Sequence, residues 1–222
     1  MTDTSTVEAP RAEGLRERHR RRTATQLEEA ALRLFAGRGF DAVTVDDIAA
    51  EADVCRRTFF RYYASKEDVL LSDHPRRLAE IREGLAARPA DEPPLTALRH
   101  TVLALAACYL QDKQRLLQRF EIMAATPSLQ ARSLQHQREW EEAVSEVIAL
   151  RMGVDRAADI RPAVVAATTL ASLRVAVTAW FVGGGKSDLN AMVAEALDLL
   201  DGGLQGASES PRPARAGRSR QN

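Results

Sequence analysis

The chain has 222 residues, enough for one small and one medium domain, and its 31 Lys and Arg are balanced by 31 Asp and Glu. A net charge of zero gives no global support to a polyanionic partner, so such binding has to rest on local clusters. The two cysteines, Cys55 and Cys108, argue against a disulfide framework, and the N-terminal stretch lacks the apolar core of a secretory signal. A reduced, cytoplasmic setting is expected.

Residues 1–22 read as a flexible polar arm carrying Arg16, Arg18, Arg20, Arg21 and Arg22. Two uses stand for it, contact with phosphates or a minor groove, and service as a solubilising tail. Thr25 is expected to open the first folded helix, with Glu28 completing a capping box and Leu27, Ala31, Leu34 and Phe35 on its apolar face.

Residues 44–70 read as two short helices joined by a tight turn, then a third helix with its own cap. Thr44 is placed as an N-cap with Asp47 three residues on, and Val43 and Ile48 as a hydrophobic staple. The turn falls at Asp53-Val54, because Asp tolerates a left-handed backbone better than most residues. The next helix spans residues 56–62, with Phe59 and Tyr63 toward a small core. Arg56, Arg57, Thr58, Phe60 and Arg61 are left for solvent or DNA. From Cys55 to Lys66 there are four cations and no carboxylate. A short cationic, aromatic helix behind a capped helix and a sharp turn suits a DNA major groove. Ser65 then caps the following helix, with Asp68 three later.

The same stretch resembles the DNA-binding domain of the TetR family of bacterial transcriptional regulators. The resemblance rests on Thr44, Ile48, Ala49, Ala52, Val54, Phe59, Phe60, Tyr62, Tyr63, Lys66 and Glu67. Upstream, residues 30–35 and Gly39-Phe40 are similar to the family's first helix and its exit. Two positions depart from the pattern: Asp53 stands for the turn glycine and Cys55 for the serine that caps the recognition helix. A thiol is a weak hydrogen-bond partner, so that cap is expected to be poorer.

Further along, residues 69–87 are expected to form one connecting helix stopped by Pro89. Pro93-Pro94 leads an amphipathic helix with Leu95, Leu98, Val102, Leu105 and Tyr109, and Leu116, Leu117, Phe120 and Met123 mark another. Thr126-Pro127 starts a long helix burying Leu134, Trp140, Val144, Val147 and Ile148. Residues 162–182 are apolar except for Arg174. A charge mid-segment argues against a bilayer span, so this helix is expected to be buried, in part against a second subunit. It ends at Gly183-Gly184-Gly185, and Ser187 is expected to cap a last helix with the stripe Leu189, Met192, Val193, Ala196 and Leu200. The tail from Gly202 on is Gly, Ser, Pro and Arg rich and reads as disordered.

No segment alternates at period two, so the fold is expected to be all-α. The expected organisation is a basic arm (1–22), a helix-turn-helix DNA-binding domain (23–70), a helical ligand-binding and dimerisation domain (71–201) and a basic tail (202–222). The resemblance implies a homodimeric, ligand-responsive transcriptional regulator, a repressor, on double-stranded palindromic operator DNA. It assigns base edges to Arg56, Arg57 and Thr58, with Phe60 and Arg61 beside them, and phosphates to Thr44, Tyr62 and Lys66. An interior effector site is expected among Arg119, Met123, His136, Trp140, Arg174 and Thr178. The glycine run before Ser187-Asp188-Leu189 is also similar to actinobacterial members that sense acyl-CoA-like molecules, which implies an amphiphilic or anionic effector. No cofactor and no membrane partner are expected. His19, His74, His100 and His136 look scattered, so no metal site is expected. The competing readings are a helical protein-interaction adaptor and a small α-helical enzyme, but no recognisable catalytic motif is present.

Overall fold

A computed structural model describes residues 14–202, which form ten α-helices with no strand among the described residues. They divide into two compact units, one of Met1–Asp73 with Gln118–Ala131, the other of His74–Leu117 with Arg132–Asn222. The first unit thus takes back a segment, Gln118–Ala131, that the sequence assigns to the second domain.

The first unit begins with α1 (Leu15–Arg38), then α2 (Val45–Glu51), α3 (Arg56–Tyr62) and α4 (Lys66–Leu70). Helix α1 starts ten residues before the expected Thr25, so Arg16, Arg18 and Arg20 to Arg22 stand on a helix and not in an arm. Residues 15–36 contain no Gly or Pro and many good helix formers, and that propensity overrides a local cap signal. Residues 1–13 of the expected arm, and the tail from residue 203, lie outside the described residues. The helix ends at Gly39, whose φ of 80° would strain any other residue.

The core of this unit joins Leu27, Ala31 and Phe35 of α1 to Ile48, Phe59, Tyr63, Val69 and Leu70. It is closed by Ile122 and Leu129 from the returning segment, with Met123 packed at its edge. The expected single connecting helix is broken between Leu70 and α5 (His74–Ala86). Pro75 is the reason: its ring cannot coexist with a helical carbonyl four residues earlier, at Leu71.

The second unit holds α5, α6 (Pro94–Tyr109), α9 (Arg161–Val182), α10 (Leu189–Asp201) and parts of α7 (Lys113–Ala125) and α8 (Pro127–Met152). Helix α9 is long and apolar enough to cross a membrane by length and composition. One face of it is nonetheless buried, at Ala166, Leu170, Leu173, Val177 and Trp180, and it packs against α10 and α6. On α10, Leu189 and Val193 of the expected stripe are buried, whereas Met192, Ala196 and Leu200 are half-buried and Leu197, outside the stripe, is buried; the helix is capped by Asp188 and not Ser187. The Ser187 carbonyl accepts instead from Trp180 Nε1 at 3.0 Å. Gly185, with φ 68°, is buried beside that indole, and a Cβ there would meet Trp180 and Lys113 at 3.0 Å. Leu134, expected inside, is 61% exposed. Thr126 precedes Pro127 as expected, but its hydroxyl donates to the Ile122 carbonyl at 2.8 Å and caps nothing.

Candidate nucleic-acid interface

The reading head is fixed by its caps. Asp47 Oδ2 accepts from the Thr44 hydroxyl at 2.6 Å and from the Thr44 amide at 2.8 Å, while the Asp47 amide donates back to Thr44 Oγ1 at 3.1 Å. These bonds, led by the Thr44 hydroxyl and aided by Arg38, hold the Asp47 carboxyl at about 2, below its ordinary 3.8. After α2 the chain turns at Asp53, the one non-glycine residue of positive φ among the described residues, at 54°. Bonds from Val54 N to the Ala49 carbonyl and from Asp53 N to the Ala50 carbonyl, 2.9 and 3.1 Å, fix that turn.

Helix α3 occupies the expected residues, Arg56–Tyr62. Its Cys55 cap accepts no amide through its side chain. The sulfur instead meets Thr58 Oγ1 at 3.2 Å, and this contact, the largest cause, holds the thiol below its ordinary pKa. Phe59 is fully buried, and Tyr63 is fixed by a 3.0 Å bond from its hydroxyl to Glu28 Oε1. Glu28, read from sequence as a capping residue, therefore anchors the back of the recognition helix, and Ser72 also donates to it at 2.8 Å.

The opposite face of α3 is open. Arg56, Arg57, Phe60 and Arg61 are exposed, and Thr58 and Tyr62 are half-buried. The Arg56 guanidinium pairs with Asp46 at 2.7 Å and lies 5.4 Å from the Phe60 centroid. Arg61 sits 5.3 Å over the Tyr62 ring. The Arg57 side chain makes no ion pair or hydrogen bond among the described residues, so it is the one freest to meet a base edge.

Lys66 is placed otherwise than a phosphate clamp. Its ammonium donates to the Phe40 and Val43 carbonyls at 2.8 and 2.9 Å and lies 4.4 Å from the Phe40 centroid. A signal for this existed in the sequence. A lysine in the first turn of a helix opposes the macrodipole and is better explained by employment elsewhere.

Two family descriptions match the chain: "Bacterial regulatory proteins, tetR family" over residues 27–72 and "MftR C-terminal domain" over residues 92–205. Among curated proteins, the HTH-type transcriptional regulator TcmR of Streptomyces glaucescens is 35% identical, covering 96% of this chain and 93% of that protein. The chain belongs to the TetR family. MftR of Mycobacterium tuberculosis, named for regulation of mycofactocin biosynthesis, is 34% identical over 84% of this chain and 93% of its own length. Among solved structures, Thermus thermophilus FadR, a TetR-family repressor in complex with lauroyl-CoA, is 29% identical with a TM-score of 0.53. That match covers 87% of this chain and all of the other. This TetR-family protein is a helix-turn-helix, DNA-binding transcriptional regulator.

The expected effector residues of this regulator fall in both units. Arg119 and Met123 belong to the first unit, and His136, Trp140, Arg174 and Thr178 to the second. Arg119 already has its partners: it pairs with Asp73 at 2.7 Å, and its Nε donates to the Leu70 carbonyl at 3.1 Å. It therefore clamps the end of α4, and a second anion would have to displace Asp73. Arg174 and Thr178 are exposed on α9. His136 and Trp140 do come together, with His74 between sequence-distant segments: the His74 ring lies 3.9 Å from that of His136 and 5.3 Å from that of Trp140. The histidines are thus not all scattered. Separately, a cleft of about 270 Å³ beside α5 and α6 is lined by Gly84, Arg88, His100, Thr101, Leu105 and Cys108 among others. There Glu92 binds both Arg88 and His100, at 2.5 and 2.9 Å, so the cation at its rim is internally balanced.

Proposed function

We propose that this chain is a homodimeric, effector-responsive repressor of the bacterial cytoplasm that holds a palindromic operator. The observation that carries the reading is the face of α3, where Arg56, Arg57, Phe60 and Arg61 are exposed while Phe59 and Tyr63 lock the helix from behind. A helix locked from behind, with exposed cations and an apolar ring, meets the need of major-groove reading, in which side chains must arrive already oriented. Arg57 reads a base edge, aided by Arg56 and Thr58, and Phe60 contacts thymine methyls or sugars. Thr44, Arg61 and Tyr62 hold phosphates, joined by amides at the start of α2. Lys66 supports the head from within.

Dimerisation is supported by what α9 and α10 leave uncovered. Val164, Val175 and Val182 of α9 and Leu199 of α10 are 50%, 57%, 79% and 41% exposed. A second copy, not a bilayer, is the fitting cover for an apolar helix whose other face is already packed in protein. Two heads then enter successive major grooves about 34–36 Å apart, or a similar distance.

The effector is an amphiphilic molecule of the acyl-thioester class received by the second unit. The lauroyl-CoA complex of Thermus thermophilus FadR supports the class. Such a ligand acts only through different affinities for the DNA-competent and DNA-incompetent poses. Fluorescence anisotropy of the promoter DNA beside the chain's own gene tests the whole reading. Salt-sensitive, sequence-selective binding that lauroyl-CoA reverses is the expected result. Selective binding reversed only by neutral or cationic drugs removes the effector class, and absence of selective binding removes the reading itself.

A further inference from the structure

We propose that His74, His136 and Glu139 form a binding site for a divalent transition-metal ion of the zinc type. His74 is the first residue of α5. His136, Glu139 and Trp140 occupy positions i, i+3 and i+4 of α8 and so share one of its faces. The fold brings the two segments together: the imidazole centroids are 3.9 Å apart, their planes inclined by 36°. One ligand atom from each of His74, His136 and Glu139 lies within 4.8 Å of the other two.

Three features of these groups point to a cation and not to an idle cluster. His74 Nε2 lies 3.2 Å from the His136 carbonyl oxygen. With Nε2–H donating there, Nδ1 is left with its lone pair outward. Metal-bound histidines are held in this way, the second nitrogen donating to a backbone carbonyl or carboxylate. His136 Nδ1 is buried and has no hydrogen-bond partner. A sealed ring nitrogen left unpaired is a cost that native proteins rarely carry without a use. Glu139 is exposed and has no ion pair or hydrogen bond among the described residues. Its carboxylate is therefore free to turn toward the imidazoles.

The donor set decides the class of ion. Two imidazoles and one carboxylate, with no sulfur, suit zinc or nickel better than calcium or magnesium, which prefer oxygen alone. Donor atoms around a tetrahedral zinc stand about 3.3 Å apart, so rotation of the exposed Glu139 side chain closes the site. Three protein ligands leave a fourth position for water or an anion. The bound ion would tie the first turn of α5 to α8. From sequence alone this set was invisible, because 62 residues separate the two histidines.

The experiment uses the full chain with any histidine tag removed, zinc and cobalt(II) as probes, and the variants His74→Gln, His136→Gln and Glu139→Gln. Wild-type protein is expected to bind one equivalent of zinc in competition with a chromophoric chelator and to melt at a higher temperature when loaded. Cobalt(II) should give a visible absorption band of low-symmetry nitrogen and oxygen coordination. Each variant should lose about tenfold or more in affinity and the zinc-dependent rise in melting temperature. Glu139 is exposed, so Glu139→Gln keeps the test valid even if a histidine variant folds poorly. Failure of the wild type to retain zinc at micromolar concentration overturns the site. So does zinc binding that is unchanged in Glu139→Gln and lost only on replacing Cys55 or Cys108.

Discussion

The Lys66 ammonium and the Phe40 ring stand 4.4 Å apart, and the same ammonium donates to the Phe40 carbonyl at 2.8 Å. One lysine thereby ties the start of α4 to the loop that follows α1. Lys66→Met should destabilise the DNA-binding unit by about 1–3 kcal/mol, the worth of charged hydrogen bonds that are lost. It should leave the salt dependence of operator binding unchanged under conditions where the variant is folded. Thermal melts paired with salt-titrated anisotropy check this. An unaltered melt with a slope reduced by about one unit per lost contact would return Lys66 to the phosphates.

Arg57 is the contrasting case, an exposed cation with no internal partner among the described residues. Arg57→Ala should leave the melting temperature untouched. It should cost about 1–3 kcal/mol of cognate affinity per reading head and relax selection at one base pair of each half-site. Binding selections from randomised operators, run on both proteins, would reveal whether a single position blurs.

Asp53 sits at φ 54°, where a side chain is strained and glycine is not. Asp53→Gly should therefore hold or raise stability, by up to about 1 kcal/mol, and Asp53→Val should lower it by more than that. Calorimetry of the two variants decides it. A valine variant as stable as the parent would show that the turn does not require the left-handed backbone.

The Asp47 carboxyl titrates at about 2 in the folded chain against an ordinary 3.8. A depressed carboxyl contributes stability that is complete above the unfolded value and is lost as pH falls toward the folded one. The contribution should fade between about pH 4 and pH 2. Asp47→Asn should be less stable than the parent at neutral pH, and the gap should narrow over that interval. Acid titrations followed by circular dichroism test the sign. A gap that widens on acidification would mean that the Thr44 and Arg38 contacts do not stabilise the charged form.

Val175 and Leu199 are 57% and 41% exposed, whereas Leu189 on the expected apolar stripe of the last helix is fully buried within its own unit. Val175→Asp with Leu199→Asp should yield folded monomers that bind a half-site weakly and a palindrome no better. Leu189→Asp should instead lower stability itself. Light scattering and circular dichroism separate the two outcomes, and a wild-type protein that is monomeric at micromolar concentration would end the proposed assembly.

Local chemistry was enough to write much of the reading head from the sequence. The Thr44–Asp47 box, the left-handed Asp53 and the limits of α3 depend on groups within four residues of one another, and the structure holds them where the pattern puts them. The period of the apolar residues likewise sets Phe59 and Tyr63 inward and Leu189 and Val193 on a buried stripe. Long polar side chains escaped such reading, because their partners are chosen by contacts between segments distant in sequence. Glu28 meets Tyr63 and Ser72, Lys66 meets the carbonyls of Phe40 and Val43, and Arg119 meets Asp73 and Leu70. The stacking of His74 on His136 is of the same kind. The sequence by itself determined the caps of α2 and α4, the span of α3 and its reading face, since these are short-range. Which charges are spent inside the protein, and which remain free for DNA or a ligand, was decided only when the helices packed.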